Sequence, residues 1–167
     1  YLHGSDIFAV KVASGFYDQD DEPPGSGAIL VLSAVDGSPL GVLADNGYLT
    51  DLRTGAAGAL AVDLLAPKVL DKVAVIGTGT QARAQLHALA GVRTWNSTAV
   101  WGRNQERAER YAADHGTRTI EVAGTPQEAL EGAQLVITTT RSGAPLIEYE
   151  WLDSSAPVIA LRPDPPH

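Results

Sequence analysis

Residues 77–82 have the composition and spacing of a phosphate-binding turn. The run reads Gly-Thr-Gly-Thr-Gln-Ala and directly follows the apolar stretch 72–76. In such a turn the first glycine permits a sharp bend, the second lets the backbone approach an anion, and the last small residue lets the next helix pack on the strand. The amides at the start of that helix then face a pyrophosphate. We therefore expect a dinucleotide to be bound by Gly77, Thr78, Gly79, Thr80, Gln81 and Ala82.

The end of the following strand-like segment indicates which dinucleotide is favoured. In NAD-binding proteins an Asp or Glu about twenty residues after the turn accepts hydrogen bonds from the ribose. This chain instead has Trp101-Gly102-Arg103-Asn104 there. A guanidinium suits the additional 2′-phosphate of NADP, so Arg103 and Asn104 predict NAD(P)H binding with NADP(H) favoured over NAD(H). The alternative is that Arg103 is a solvated residue and Asn104 caps the next helix.

Two further observations concern ligands. Thr139 ends a later strand-like run and is expected to contact the cofactor. No metal is expected, because the histidines lack the short spacing of metal-binding pairs; they are His3, His87, His115 and His167.

The elements around the turn follow a regular rhythm. From residue 72 onward, strand-like and helix-like segments alternate, and Thr125 with Glu128 forms a capping box that has Pro126 at the first helical position. This alternation predicts an α/β fold, a Rossmann-type doubly wound parallel sheet. A plain strand–turn–helix with incidental glycines is less favoured, because the turn lies inside a βαβ unit.

The region before the turn has a different pattern. Strand-like runs at 7–13, 28–34 and 40–44, with Asp36-Gly37 as a turn signal, predict an antiparallel meander. Thr50 is predicted to cap a helix that stops before Pro67. The small residues at 55–59 of this helix would permit close approach of another backbone or a ligand. We place the domain boundary so that 1–67 form one part and 68–167 the Rossmann domain.

Composition excludes several classes of partner. The 20 acidic and 12 basic residues give a net charge of −8, which would repel a nucleic acid. No apolar run reaches the roughly 18–20 residues that cross a bilayer, and no charged-then-apolar leader opens the chain, so no membrane partner is expected. A cytoplasmic location is the default expectation.

Three stretches together carry a resemblance to a known family. They are KVASGFY at 11–17, LTDLRTGAA at 49–57 and VIGTGTQA at 75–82. In order and spacing they resemble the ornithine cyclodeaminase/mu-crystallin family, and the resemblance covers nearly all of the chain.

The resemblance implies a Rossmann domain inserted into an α+β substrate-binding and dimerisation domain, of which 1–67 would be a part. It also implies a nicotinamide cofactor, a small amino acid, imine or keto acid as substrate, and a homodimer. The expected activity is that of an ornithine cyclodeaminase-like ammonia lyase, in which hydride transfer accompanies deamination. The alternatives are an NADPH-dependent ketimine reductase or amino acid dehydrogenase, and a non-catalytic mu-crystallin-like protein that binds NADP(H) and a small ligand.

The resemblance also implies roles for individual residues. Lys11 matches the family's active-site lysine, Arg53 matches the arginine that holds the substrate carboxylate, and Thr54 would lie near the cofactor. Asp164 corresponds to the catalytic aspartate that follows the last Rossmann strand. Its setting departs from the family, because Arg162-Pro163 precedes it and prolines follow. A turn aspartate without a catalytic role is therefore an equal alternative.

Family members have a further N-terminal segment, with another substrate arginine, and C-terminal elements that close the substrate domain. Neither is found in these 167 residues. Because two ordinary domains need about twice this length, we expect a fragment, and its activity alone is left open.

Overall fold

The computed structural model describes residues 4–15, 25–115 and 119–161. The chain divides into two compact units, Tyr1–Thr50 and Asp51–His167. The prediction of a functional boundary near residue 67 remains a prediction.

The first unit contains the predicted meander. A three-stranded antiparallel sheet has the order β1-β2-β3. The strands are β1 (Ile7–Gly15), β2 (Gly25–Ser33) and β3 (Pro39–Leu43). The turn between β2 and β3 contains Gly37 at a φ of 75°, which favours glycine, and Asp36 accepts hydrogen bonds from both the backbone and the hydroxyl of Ser38. The turn predicted from Asp36-Gly37 is confirmed.

Helix α1 (Tyr48–Leu65) starts earlier than the sequence predicted. The Asp45 carboxylate accepts a hydrogen bond from the Leu49 backbone N–H, and this bond holds the pKa of Asp45 below its usual value. The prediction that Thr50 caps the helix is therefore wrong, because Asp45 already satisfies first-turn amides and Thr50 lies within the helix. From Asp51 onward, α1 belongs to the second unit.

The second unit has a five-stranded parallel sheet of order β6-β5-β4-β7-β8. Its strands are β4 (Val69–Ile76), β5 (Thr94–Trp101), β6 (Ile120–Val122), β7 (Leu135–Thr138) and β8 (Val158–Ala160). The helices between them are α2 (Thr80–Leu89), α3 (Gln105–Ala113) and α4 (Pro126–Leu130). The predicted Rossmann-type α/β fold is confirmed.

Both faces of this sheet are buried. Val73 and Val75 of β4 point into one cluster, with Leu86 of α2 and Tyr111 of α3. Ala74 and Ile76 point into the opposite cluster, which also contains Leu130 of α4. Because alternate residues of a strand face opposite sides, the continuous apolar run of β4 is what a central parallel strand needs.

The strand order reverses direction at β4. The chain moves from β4 to β5 and β6 on one side, and then returns to β7 and β8 on the other. In open α/β sheets, ligands bind beyond the carboxyl ends of the strands where the order reverses. A ligand site is therefore expected at the residues that follow β4, β5 and β7.

Candidate nucleotide-binding site

Gly77 begins the turn after β4 and closes it against both neighbouring strands. Its backbone N–H donates to the Trp101 carbonyl of β5 at 2.8 Å. Its φ is 124°, a backbone conformation that residues with side chains rarely adopt. A Cβ atom here would lie 2.6 Å from Oγ1 of Thr139. Both the bend and the close approach thus require glycine.

Thr139 follows β7 and presents an unsatisfied hydroxyl to this turn. Its backbone N–H donates to the Ile76 carbonyl at 2.9 Å, which ties the end of β7 to β4. Its Oγ1 is buried and has no hydrogen-bond partner among the described residues. Buried hydroxyls in native proteins almost always have a partner, so an orphan beside a glycine turn is an indication of a ligand group.

The start of α2 is open to an anion. Gly79 is the N-cap residue, no side chain among the described residues caps the helix, and its first turn has no acidic residue. Space is open at the position that a Cβ of Gly79 would occupy. The first-turn amides have no partner within an α-helix, so they remain available to a ligand such as a phosphate.

Ala82 and Thr78 pack the phosphate-binding turn against neighbouring elements. Ala82 is fully buried, and its carbonyl accepts a hydrogen bond from the Tyr111 hydroxyl at 3.1 Å. Burial raises the pKa of Tyr111, so the phenol stays protonated and donates. The Thr78 side chain lies against Gly102, where a Cβ would be 2.8 Å from Thr78 Cγ2.

Arg103 and Asn104, which follow β5, differ in what they contact. Asn104 is the N-cap of α3, and its side-chain oxygen accepts the Arg107 backbone N–H at 2.9 Å. This is the capping arrangement that the sequence left open. Arg103 is exposed and forms no hydrogen bond or ion pair with the described residues. Its guanidinium is therefore available to a ligand at the carboxyl edge of the sheet.

The residues expected to bind substrate lie in different units. In the first unit, Lys11 is exposed on β1, and its ammonium donates to the hydroxyl of Thr50. In the second unit, Arg53 is exposed and Thr54 is half-buried in α1. Asp164 lies outside the described residues.

Two glutamines connect α1 with α2: Gln81, which the sequence assigned to the cofactor-binding turn, and Gln85, which it did not single out. Gln85 Nε2 donates to the Thr54 carbonyl at 2.9 Å, and Gln81 Nε2 donates to the Asp51 carboxylate. The only local signal for this connection is that Gln81 and Gln85 are one helical turn apart and face the small residues of α1.

Two absences apply to the part of the chain that the structure describes. There, no three or more acidic or histidine side chains are grouped as a metal site would require. Within the same residues, no helix has the length and apolar character of a membrane span.

Comparison with known proteins places this geometry in a family. The model of the ornithine cyclodeaminase/mu-crystallin family matches residues 1–167. The chain belongs to this family. The resemblance inferred from the three sequence stretches is thereby confirmed.

Curated relatives have related names. A provisionally named dehydrogenase of Rhizobium meliloti is 38% identical over the whole chain, which covers 52% of that relative. The ketimine reductase mu-crystallin of Mus musculus is 29% identical over 98% of the chain and 53% of the relative. The chain thus spans about half the length of the curated relatives it matches.

Solved structures share the fold. Δ1-pyrroline-2-carboxylate reductase of Thermococcus litoralis, in complex with NADH and L-proline, has a TM-score of 0.85 and 28% identity, with 92% of this chain and 49% of the other covered. An archaeal alanine dehydrogenase dimer with bound NAD has a TM-score of 0.83 and 27% identity, with 92% and 48% covered. Family members of this kind are NAD(P)-dependent enzymes that act on amino acids or imines.

Proposed function

We propose that residues 77–82 bind a nicotinamide dinucleotide and that the chain is part of an enzyme that transfers hydride at the Cα of an amino acid or its imine. The observation that carries this proposal is the orphan hydroxyl of Thr139 beside Gly77, at the point where the strand order reverses. The names of the relatives and their solved complexes with NADH and NAD support it.

The residues of the turn fit the pyrophosphate of such a cofactor. Gly79 leaves room for close approach, and the uncapped amides of α2 supply donors, with no acidic residue in the first turn of that helix. The Thr139 hydroxyl would gain a partner from the bound cofactor. Thr78 and Thr80 would line the same turn, and Ala82 would hold α2 against β4.

We further propose a preference for NADP(H) over NAD(H). Arg103 supports this proposal, because its exposed guanidinium can form charge-assisted hydrogen bonds with a phosphate. Asn104 would contribute by fixing the start of α3 rather than through its capping oxygen, which is already engaged with Arg107.

The substrate is proposed to be a small amino acid, imine or keto acid. Arg53 would hold its carboxylate through two parallel donors, and Lys11 would bind the same carboxylate or a carbonyl. Thr54 would lie near the cofactor. Asp164 would move the proton on and off the substrate nitrogen.

The net reaction follows from what happens after the first hydride transfer. The cofactor, when bound, accepts a hydride from Cα or returns one to it. In the ornithine cyclodeaminase-like reaction, the distal amine of the substrate attacks the imine carbon, ammonia leaves, and the hydride returns. In the alternative, a ketimine reductase or amino acid dehydrogenase, only one hydride transfer occurs. The names of the relatives include enzymes of the second kind.

A binding protein without turnover is the remaining candidate. It is favoured by the sequence around Asp164, where Arg162-Pro163 replaces the small residues of the family pattern. A homodimer is proposed on the likeness to the dimeric alanine dehydrogenase, and exposed apolar side chains in both units are consistent with a covered surface. The cytoplasmic location stays a prediction.

Product analysis separates the three candidates. The protein is incubated with L-ornithine and a catalytic amount of NAD(P)+, and separately with Δ1-pyrroline-2-carboxylate and NADPH. Proline and ammonia without net cofactor reduction would establish cyclodeamination, whereas stoichiometric NADPH oxidation would establish imine reduction. Binding of NADPH without either reaction would leave the binding-protein candidate. An Asp164→Asn variant that retains full turnover would remove Asp164 from the proposed mechanism.

A further inference from the structure

Helices α1 and α2 approach each other more closely than side chains would allow. A Cβ atom on Gly55 would lie 2.8 Å from the Ala84 carbonyl oxygen, and one on Gly58 would lie 1.9 Å from Oε1 of Gln85. Because these two positions of α1 have no side chain, the backbone of α2 lies against Gly55 and the Gln85 side chain lies against Gly58. Any larger residue at these positions would push the helices apart.

The Gln85 side chain lies in the space beside Gly58. It is only 2% exposed, and its Nε2 donates to the Thr54 carbonyl at 2.9 Å. A buried amide group is costly unless it is hydrogen-bonded. This contact therefore fixes where α2 lies along the axis of α1, at the second turn of that helix. The Thr54 carbonyl directly follows Arg53 along the helix.

Gln81 makes the corresponding contact one turn earlier. Its Nε2 donates to the Asp51 carboxylate, while its Oε1 is buried without a partner among the described residues. The side-chain amide of Gln81 cannot be rotated so that its oxygen and nitrogen exchange places. The oxygen would then face the Asp51 carboxylate, and an ionised carboxylate only accepts hydrogen bonds. Gln81 is also within the proposed phosphate-binding turn, so the same residue belongs to the cofactor site and contacts the first turn of α1.

We propose that Gln81 and Gln85 are positioning residues that couple cofactor binding to the part of α1 that carries Arg53. This inference rests on the proposed function. A phosphate bound to the amides of α2 orders the turn that contains Gln81, and the two glutamine contacts then hold residues 51–54. Arg53 is thereby fixed in place for the substrate carboxylate before the substrate arrives.

The coupling has a thermodynamic consequence. If cofactor binding orders the Arg53 turn, the cofactor raises the affinity for a carboxylate substrate, and by linkage the substrate raises the affinity for the cofactor by the same factor. Glutamines that only packed two helices together would affect stability without affecting this factor. The factor is therefore the quantity to measure.

The experiment measures the dissociation constant of NADPH by nicotinamide fluorescence, with and without saturating L-proline as the carboxylate probe. In the unaltered protein we expect NADPH to bind about fivefold more tightly or better with proline present. In Asp51→Ala the ratio should fall to about one, while NADPH alone still binds. Gln81→Ala should lower the ratio as Asp51→Ala does, and Asp51→Asn, which keeps an acceptor for Gln81, should restore it. Gln105→Ala, an exposed glutamine of α3, is the matched control and should leave the ratio unchanged.

A second measurement does not need a substrate. Amide hydrogen exchange in residues 51–58 should slow when NADPH is added to the unaltered protein, and this slowing should be lost in Gln81→Ala and in Asp51→Ala. Should one variant fail to fold, the other tests the same bond from the opposite helix.

The outcomes are distinguishable. A ratio that persists in both Gln81→Ala and Asp51→Ala, or an unaltered protein that binds NADPH without any effect of proline, would overturn the coupling and leave the proposed cofactor site intact. An unaltered protein that binds neither NADPH nor NADH would overturn the proposed function and the coupling together.

Discussion

The hydroxyl oxygen of Thr139 lies 2.6 Å from the point that a Cβ atom of residue 77 would occupy. The two residues are distant in sequence, and they directly follow β7 and β4. The same hydroxyl has no partner among the described residues. Glycine at residue 77 therefore does more than permit a bend, because its lack of a side chain leaves space for the Thr139 hydroxyl at this edge of the sheet.

Gly77→Ala should destabilise the protein, whereas Gly79→Ala should not. Alanine at residue 77 would meet Thr139 and a φ of 124°, which together cost about 1–3 kcal/mol. Gly79 has an ordinary φ and open space around it, so alanine there should weaken only the binding of a nucleotide. Urea unfolding and nicotinamide fluorescence measure the two effects. Equal stability of the two variants would contradict the prediction.

Thr139→Val should weaken cofactor binding without destabilising the free protein. Valine has nearly the same shape and removes a buried hydroxyl that has no partner within residues 4–15, 25–115 and 119–161, so the free energy of unfolding should be unchanged or slightly higher. Cofactor affinity should fall several-fold, as expected for about 1 kcal/mol.

Thr98→Val is the matched control for this variant. Thr98 is buried in β5, and its hydroxyl accepts a hydrogen bond from Trp95 Nε1 at 2.7 Å. We expect it to lower the free energy of unfolding by about 1 kcal/mol and to leave cofactor affinity unchanged. If Thr139→Val behaved like this control, the hydroxyl of Thr139 would have no role in binding.

Arg103→Ala should reduce the affinity for NADPH by about tenfold or more and leave that for NADH unchanged. The reason is the loss of a charge-assisted contact to the 2′-phosphate. Competition between the two cofactors, followed by fluorescence, measures the change. Arg110→Ala, in the last turn of α3, controls for the general loss of a positive charge. A similar loss of affinity for both cofactors would remove Arg103 as a determinant of cofactor choice.

Arg93→Met should strongly destabilise the second unit. The Arg93 side chain is only 1% exposed and donates to the carbonyls of Val62, Asp63 and Ala66, at the end of α1. Because the buried guanidinium donates to several carbonyls at once, and the last carbonyls of a helix lack partners within it, we expect the free energy of unfolding to fall by roughly 3 kcal/mol.

Lys68→Ala provides the comparison, since Lys68 pairs with the same Asp63 carboxylate that contacts Arg93. The Lys68 side chain is 81% exposed, and such pairs contribute about 0–1 kcal/mol. Urea denaturation measures the free energy of unfolding of both variants, which should fall much more for Arg93→Met than for Lys68→Ala. A small effect for Arg93→Met would mean that water can replace the guanidinium.

Stability should decrease in acid in part through Asp36. Hydrogen bonds from the hydroxyl of Ser33 and from Ser38 lower the pKa of Asp36 from 3.8 to about 2. Because the folded pKa is below the unfolded one, this contribution is present above about pH 4 and is lost as the pH falls towards 2. Asp36→Asn should therefore flatten the pH dependence of unfolding in that window. An unchanged profile, or an Asp36 carboxyl that titrates near its usual pKa by NMR, would contradict this.

Much of the fold follows from local signals in the sequence. The capping box is an example, because Thr125 accepts the Glu128 amide at 3.1 Å and Glu128 reaches back to the Gly124 amide at 2.8 Å. These residues are neighbours in the chain, so their types alone indicate the start of α4. The alternating apolar segments similarly predict the parallel sheet.

The contacts between distant elements could not be predicted in this way. Arg93 is a charged residue between a helix and a strand, a type and place that predict exposure, yet it is buried against the end of α1. The Thr50 prediction failed because Asp45 competes for the same amides. The pairing of Gln81 with Asp51 depends on the approach of two helices that the glycines of α1 permit. Such contacts depend on three-dimensional packing, which local residue types do not specify.

A titration of the protein with NADPH and with NADH, followed by nicotinamide fluorescence, tests the central claim most directly. The proposed site predicts saturable binding of at least one cofactor, tighter for NADPH, and much weaker binding in a Gly79→Ala variant that unfolds like the unaltered protein. An unaltered, folded protein that binds neither cofactor, or a Gly79→Ala variant that binds both as well as the unaltered protein does, would contradict a nucleotide site at residues 77–82.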